Sequence, residues 1–100
     1  MSWRVFITPH AVAELTAIHD YISRDSTENA NNMVSRILTA IEGLAILPHR
    51  NIYQKSSRKL RGPVYDLPVE AYIIFFRIDE QARIVNVVSI RHSARRRPRL

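Results

Sequence analysis

Residues 72 to 78, Tyr-Ile-Ile-Phe-Phe-Arg-Ile, set the strongest constraint on the fold. The run is aromatic and β-branched, which favours a strand. Strand side chains alternate between two faces, and here both faces are apolar. Such a strand is covered on both sides and lies at the centre of a sheet. The chain must supply flanking strands and an apolar layer to pack on them.

The flanking segments are legible on either side. Trp3 to Thr8 reads as a first strand. Thr8-Pro9 then starts a helix, because threonine caps and proline suits the first helical position. Val12, Leu15, Ile18 (or His19) and Ile22 repeat at helical spacing, giving a helix from about Pro9 to Arg24. Asp25 or Ser26 starts a second helix, with Glu28 near its positive end. Its apolar stripe runs through Ala30, Met33, Val34, Ile37, Leu38, Ile41, Leu44 and Ala45, and Leu47-Pro48 ends it. The short link predicts an antiparallel helical hairpin. His49 to about Gly62 is polar and basic and reads as a long loop, which is a pointer to function. Val64 to Val69 is a short strand in which Pro68 marks an end, a bulge or an edge. Asp79 to Ala82 is a hairpin connection, and Arg83 to about Ile90 is the last strand. The fold class is therefore α+β: an N-terminal strand, a helical hairpin, then a three-stranded antiparallel meander.

With 100 residues, a single domain is expected across positions 1 to 100, with 92 to 100 a basic C-terminal tail. Cysteine is absent, which excludes disulfides and thiolate metal sites. His10, His19 and His49 show no metal-ligand spacing, and no metal or cofactor is expected. No apolar run approaches the ~20 residues of a membrane span, and no signal peptide is seen. A cytoplasmic location and no membrane partner follow as expectations. The net charge is +6, and its placement is uneven. Arg50, Lys55, Arg58, Lys59 and Arg61 form one acid-free cluster; Arg91, Arg95, Arg96, Arg97 and Arg99 form another. Such clusters attract polyanions or acidic proteins, or simply keep a surface solvated.

Three stretches carry a resemblance to a known family. The opening WRVFITPHAVAELTAIHDYISRDS, with Asp20-Tyr21-Ile22 late in its helix, looks like the start of ParE-type toxins. LPVEAYIIFFRID, from Leu67 to Asp79, resembles the family's hydrophobic strand pair, and VNVVSIRH, from Val85 to His92, resembles its last strand. The ordered set is similar to the RelE/ParE toxin superfamily, nearer its ParE side. The resemblance implies a strand, a helical hairpin and a twisted antiparallel sheet. It also implies a bacterial type II toxin–antitoxin toxin, linked to plasmid stabilisation and held in a hetero-oligomer by a cognate protein antitoxin. ParE-like members inhibit DNA gyrase; RelE-like members cleave mRNA on the ribosome.

Metal-free RNA cleavage needs activation of the 2′-OH, charge stabilisation at phosphate and a proton for the leaving oxygen. RelE-like members place lysines and arginines on the middle strands, whereas Val64 to Val69 here contains none and holds Asp66. The balance falls on a non-enzymatic gyrase inhibitor. As an enzyme, the chain would be a metal-independent endoribonuclease using His92, Arg91 and Arg77. In the bland reading His92 is a solvated histidine just past the last strand, and Arg77 pairs with Asp79 or Asp66. A third reading is an inactive binding module on the same scaffold. Candidates for target contact are Arg58, Lys59, Arg61, Arg91, Arg95 and Arg96. Candidates for antitoxin contact, by helix-in-groove or strand addition, are Tyr21, Ile73 and Phe75.

Overall fold

The computed structural model describes residues 2–46, 48–50, 53–54 and 63–95. The elements run β1 (Arg4–Ile7), α1 (Pro9–Ser23), α2 (Thr27–Gly43), β2 (Tyr53–Gln54), β3 (Val64–Val69), β4 (Tyr72–Asp79) and β5 (Ile84–His92), with 3-10 turns at Pro48–Arg50 and Ser93–Arg95. The sheet order is β1-β5-β4-β3-β2, which puts β4 at the centre as its composition requires. The strands from β2 to β5 pair antiparallel. β1 lies parallel to β5, so the sheet is mixed rather than wholly antiparallel. The helical hairpin between β1 and the meander is the crossover that makes a parallel partner possible.

Both helix starts are capped by hydroxyls. The Ala11 N–H donates to Thr8 Oγ1 at 3.2 Å, and the Asn29 N–H donates to Ser26 Oγ at 3.1 Å. The inward face of α1 is Ala11, Leu15, Ile18 and Ile22, spaced four, three and four residues apart. Val12, expected on that stripe, is exposed because it lies one residue round the helix from Ala11. α2 stops at Gly43 instead of Leu47; its last turn loosens where the Trp3 N–H takes the Ala45 carbonyl at 2.7 Å. Across the hairpin, His19 Nε2 bonds to Asn31 Oδ1 at 2.9 Å.

The main core lies between this hairpin and one face of the sheet. Ala11, Ile37, Ile41 and Leu44 pack on Tyr72, Ile74, Phe76, Val85, Val87 and Ile90. A smaller cluster of Val64, Ile73 and Phe75, with Val88 against it, sits on the other face. A bulge in the β4–β5 pairing connects the two: Phe75 opposes Ser89 while Phe76 opposes Val87, leaving Val88 as the extra residue. The bulge changes the phase of β5. Strict alternation after Val85 and Val87 would turn Ile90 outward; instead Ile90 joins the main core.

Several expectations need correction at element ends. β2 lies inside the stretch read as loop and pairs Tyr53 with Tyr65 and Gln54 with Val64. It reaches only the first two residues of β3, so Pro68 sits where that edge has no partner strand among the described residues. β5 extends to His92, with Ile73 opposite Arg91 and Tyr72 opposite His92. His92 is thus a strand residue, not the first residue of a tail.

Candidate partner-binding cleft

The site grows out of a mismatch in strand length. β1 pairs with β5 only as far as Ile7 opposite Val87, and the Thr8 N–H closes that edge on the Val87 carbonyl at 3.0 Å. The chain then turns into α1, while β5 runs on to His92. From Val88 onward this edge of β5 lacks a partner strand among the described residues. Glu14 supplies what the missing strand would. Its Oε1 accepts from the Ile90 N–H at 2.8 Å and from Ser89 Oγ at 2.7 Å. Its Oε2 faces His10 Nε2 at 3.4 Å and Arg91 Nε at 3.7 Å. Arg91 Nε also donates to Ser89 Oγ at 3.1 Å.

Beyond Glu14, α1 and the sheet diverge and leave an open cleft of ≈ 990 Å³. Ala17 and Tyr21 of α1, with Arg24 at its C-terminal cap, form one wall; Tyr72, Arg91 and His92 form the other. Ile18 and Ile90 lie between them. Tyr21 is 64% exposed, and the Arg24 guanidinium lies 5.8 Å from its ring centre. His92 meets the Tyr72 ring edge-on at 5.3 Å. The Ala94 N–H donates to His92 Nδ1 at 3.1 Å, so the neutral ring carries its proton on Nε2. In that tautomer the outer nitrogen donates and has no lone pair with which to act as a base.

The structure gathers some of the candidates and separates others. Tyr21, Arg91 and His92 share the cleft. Arg77 does not: it pairs with Asn86, four residues along β4 from the Ile73–Arg91 pair. That is about 13 Å at roughly 3.3 Å per residue. Ile73 and Phe75 are 4% and 8% exposed, so they are buried, and a partner would reach them only by displacing their cover. Asp66, directly across from Phe75 and only 7% exposed, has an Oδ1 that makes no hydrogen bond. Arg58, Lys59, Arg61 and Arg96 lie outside the described residues. The backbone of Arg95 ends the 3-10 turn that follows β5.

Glu14, Arg24 and Tyr72 were not singled out by sequence reasoning. Glu14 carried a usable signal. It lies three residues after Ala11 and four before Ile18, an acid beside an apolar stripe that calls for an internal partner.

A mixed sheet with β1 parallel to β5, backed by one helical hairpin, is the architecture of the RelE/ParE-type toxins. The chain superposes on a protein of the chromosomal ParDE toxin–antitoxin system of P. aeruginosa with TM-score 0.69 and 22% identity, covering 90% of this chain and 95% of that one. It superposes on a chain of the Mycobacterium tuberculosis RelBE2 toxin–antitoxin complex with TM-score 0.67 and 18% identity, covering 92% and 99%. At these identities the likeness shows the fold. Sequence places the chain more narrowly. Residues 5–97 match the model of the ParE toxin of type II toxin–antitoxin systems (parDE). A relative named Toxin RelE2, from Caulobacter vibrioides, is 37% identical over 92 residues, spanning 92% of this chain and 97% of its own. The chain belongs to the ParE toxin family.

Proposed function

We propose that this toxin acts by binding, with DNA gyrase as its target, and that its antitoxin silences it from the cleft around Tyr21. The observation that carries the reading is the dispersal of the groups an RNase would use. The backbones of Arg77 and Arg91 stand about 13 Å apart along the sheet, and Arg77 is not among the residues lining the cleft that holds Arg91 and His92. The His92 tautomer, with Nδ1 held by the Ala94 N–H, adds to this, as does the buried carboxylate of Asp66 on a middle strand. Membership of the ParE family supports gyrase as the target. Arg58, Lys59, Arg61, Arg91, Arg95 and Arg96 supply the positive charge for that contact.

The second reading, a ribosome-dependent endoribonuclease, has one observation in its favour: Arg91 and His92 line the same cleft. Inducing the toxin in cells without antitoxin separates the two. Binding predicts growth arrest with intact transcripts, and arrest that persists in His92→Ala. Cut transcripts that become whole in His92→Ala would establish the nuclease instead. No growth defect at all would leave a binding module without toxicity.

A further inference from the structure

Arg91 is held in place, yet among the described residues its charge is incompletely matched. Its polar contacts with them run through Nε, to Ser89 Oγ at 3.1 Å and Glu14 Oε2 at 3.7 Å. A closed charge-assisted N–H···O bond is about 2.7–2.9 Å, so the Glu14 contact is only a loose ion pair. Glu14 has little more to give: Oε1 is spent on Ser89 and Ile90, and Oε2 also faces His10. A guanidinium offers five N–H donors in a planar fork that suits a carboxylate. Fixing Arg91 through Nε orients that fork while leaving its two terminal nitrogens without an oxygen partner among the described residues. Arg24 stands on the opposite wall, and His92 is the next residue along β5. Asp20, the other acid at the cleft, lies 3.4 Å from His19.

Building on the reading that the antitoxin occupies this cleft, we propose that Arg91 is the anchor for an aspartate or glutamate side chain borne on an apolar segment of the antitoxin. The cleft fits that chemistry better than a nucleic acid. Ile18 and Ile90 offer an apolar floor and Tyr21 and Tyr72 flank it; a polyanion would bring several charges onto that floor beside Glu14 and Asp20, where a carboxylate on an apolar segment brings one. A single carboxylate on an apolar segment meets the fork, the floor and the rings together. Arg91 is also a candidate for target contact, so one ion pair would both hold the antitoxin and mask a toxin charge.

The test is a double-mutant cycle between the full-length toxin and the antitoxin encoded with it, read as affinity. Arg91→Lys keeps the charge and loses the fork; its melting curve checks folding. The expected result is antitoxin binding weakened about tenfold or more by Arg91→Lys. One antitoxin carboxylate, changed to its amide, should then cost little more when Arg91→Ala is already present. Full affinity of Arg91→Lys, or strict additivity at every antitoxin carboxylate, would overturn the proposal while leaving the antitoxin in its cleft. No binding by the wild-type toxin would remove the underlying reading as well. If Arg91→Ala abolishes binding of a short single-stranded RNA but leaves antitoxin affinity unchanged, the cleft reads phosphate and the proposal is wrong.

Discussion

Glu14 shows how one side chain can stand in for a strand. Two of its partners, the Ile90 N–H and the Ser89 hydroxyl, are polar groups of a strand edge that β1 is too short to cover. Leaving a half-buried donor unpaired costs about 1–3 kcal/mol. Glu14→Ala should therefore lower stability by about that amount, read from thermal or urea unfolding, and Glu14→Gln should lose less because its carbonyl still accepts. His19 provides a second test at this scale. Hydrogen bonds to Asn31 first and Asp20 second raise its pKa above the usual 6.5, because both ring nitrogens donate only when the ring is protonated. The folded state thus prefers the charged ring. The contribution is complete below the unfolded value and is lost as pH rises through the folded one. Stability of the wild type should decline slightly as pH rises above the usual histidine value of about 6.5, and His19→Gln should flatten that part of the profile. A profile identical in the two proteins would show that the pair contributes nothing.

At the scale of elements, burial decides which helical positions matter. Ile37 of α2 is fully buried against the sheet, while Leu38 beside it is 37% exposed. Ile37→Ala should cost about 2–5 kcal/mol through lost transfer energy and the cavity left behind. Leu38→Ser should cost less, about 1 kcal/mol, from partial burial and helix propensity. A small domain has only about 5–15 kcal/mol in total, so the first change should unfold much of the protein near its midpoint conditions and the second should not. The elements were largely readable because periodicity and caps report local physics. Thr8 and Ser26 cap as their chemistry requires, and the doubly apolar run 72–78 became the central strand. The misreadings have equally local causes. β2 is two residues long in a basic stretch and has no pattern to show. β5 outran its expected end because Arg91 and His92 are polar, yet their backbones pair with Ile73 and Tyr72. The cleft was only partly legible, since it depends on non-local facts: the length difference between β1 and β5, and the bulge at Val88 that turns Ile90 inward. Tyr21, Arg91 and His92 could be named from sequence; their meeting with Arg24 and Tyr72 could not.

Seen whole, the molecule segregates its functions. The helical hairpin and one sheet face make the core, the end of the sheet opens the cleft, and much of the +6 charge lies in the two basic clusters. No helix among the described residues is long and apolar enough to cross a membrane. The same scaffold carries proteins of both ParDE and RelBE systems, so the fold alone does not choose a target. The proposed choice of binding over cleavage rests on the side chains. The most direct measurement is to add the purified toxin, in parallel, to DNA gyrase supercoiling plasmid and to ribosomes carrying a defined mRNA. The account predicts that supercoiling falls with toxin concentration, that antitoxin restores it, and that the mRNA stays whole. Unchanged supercoiling beside a cut message would contradict it and make Arg91 and His92 catalytic candidates.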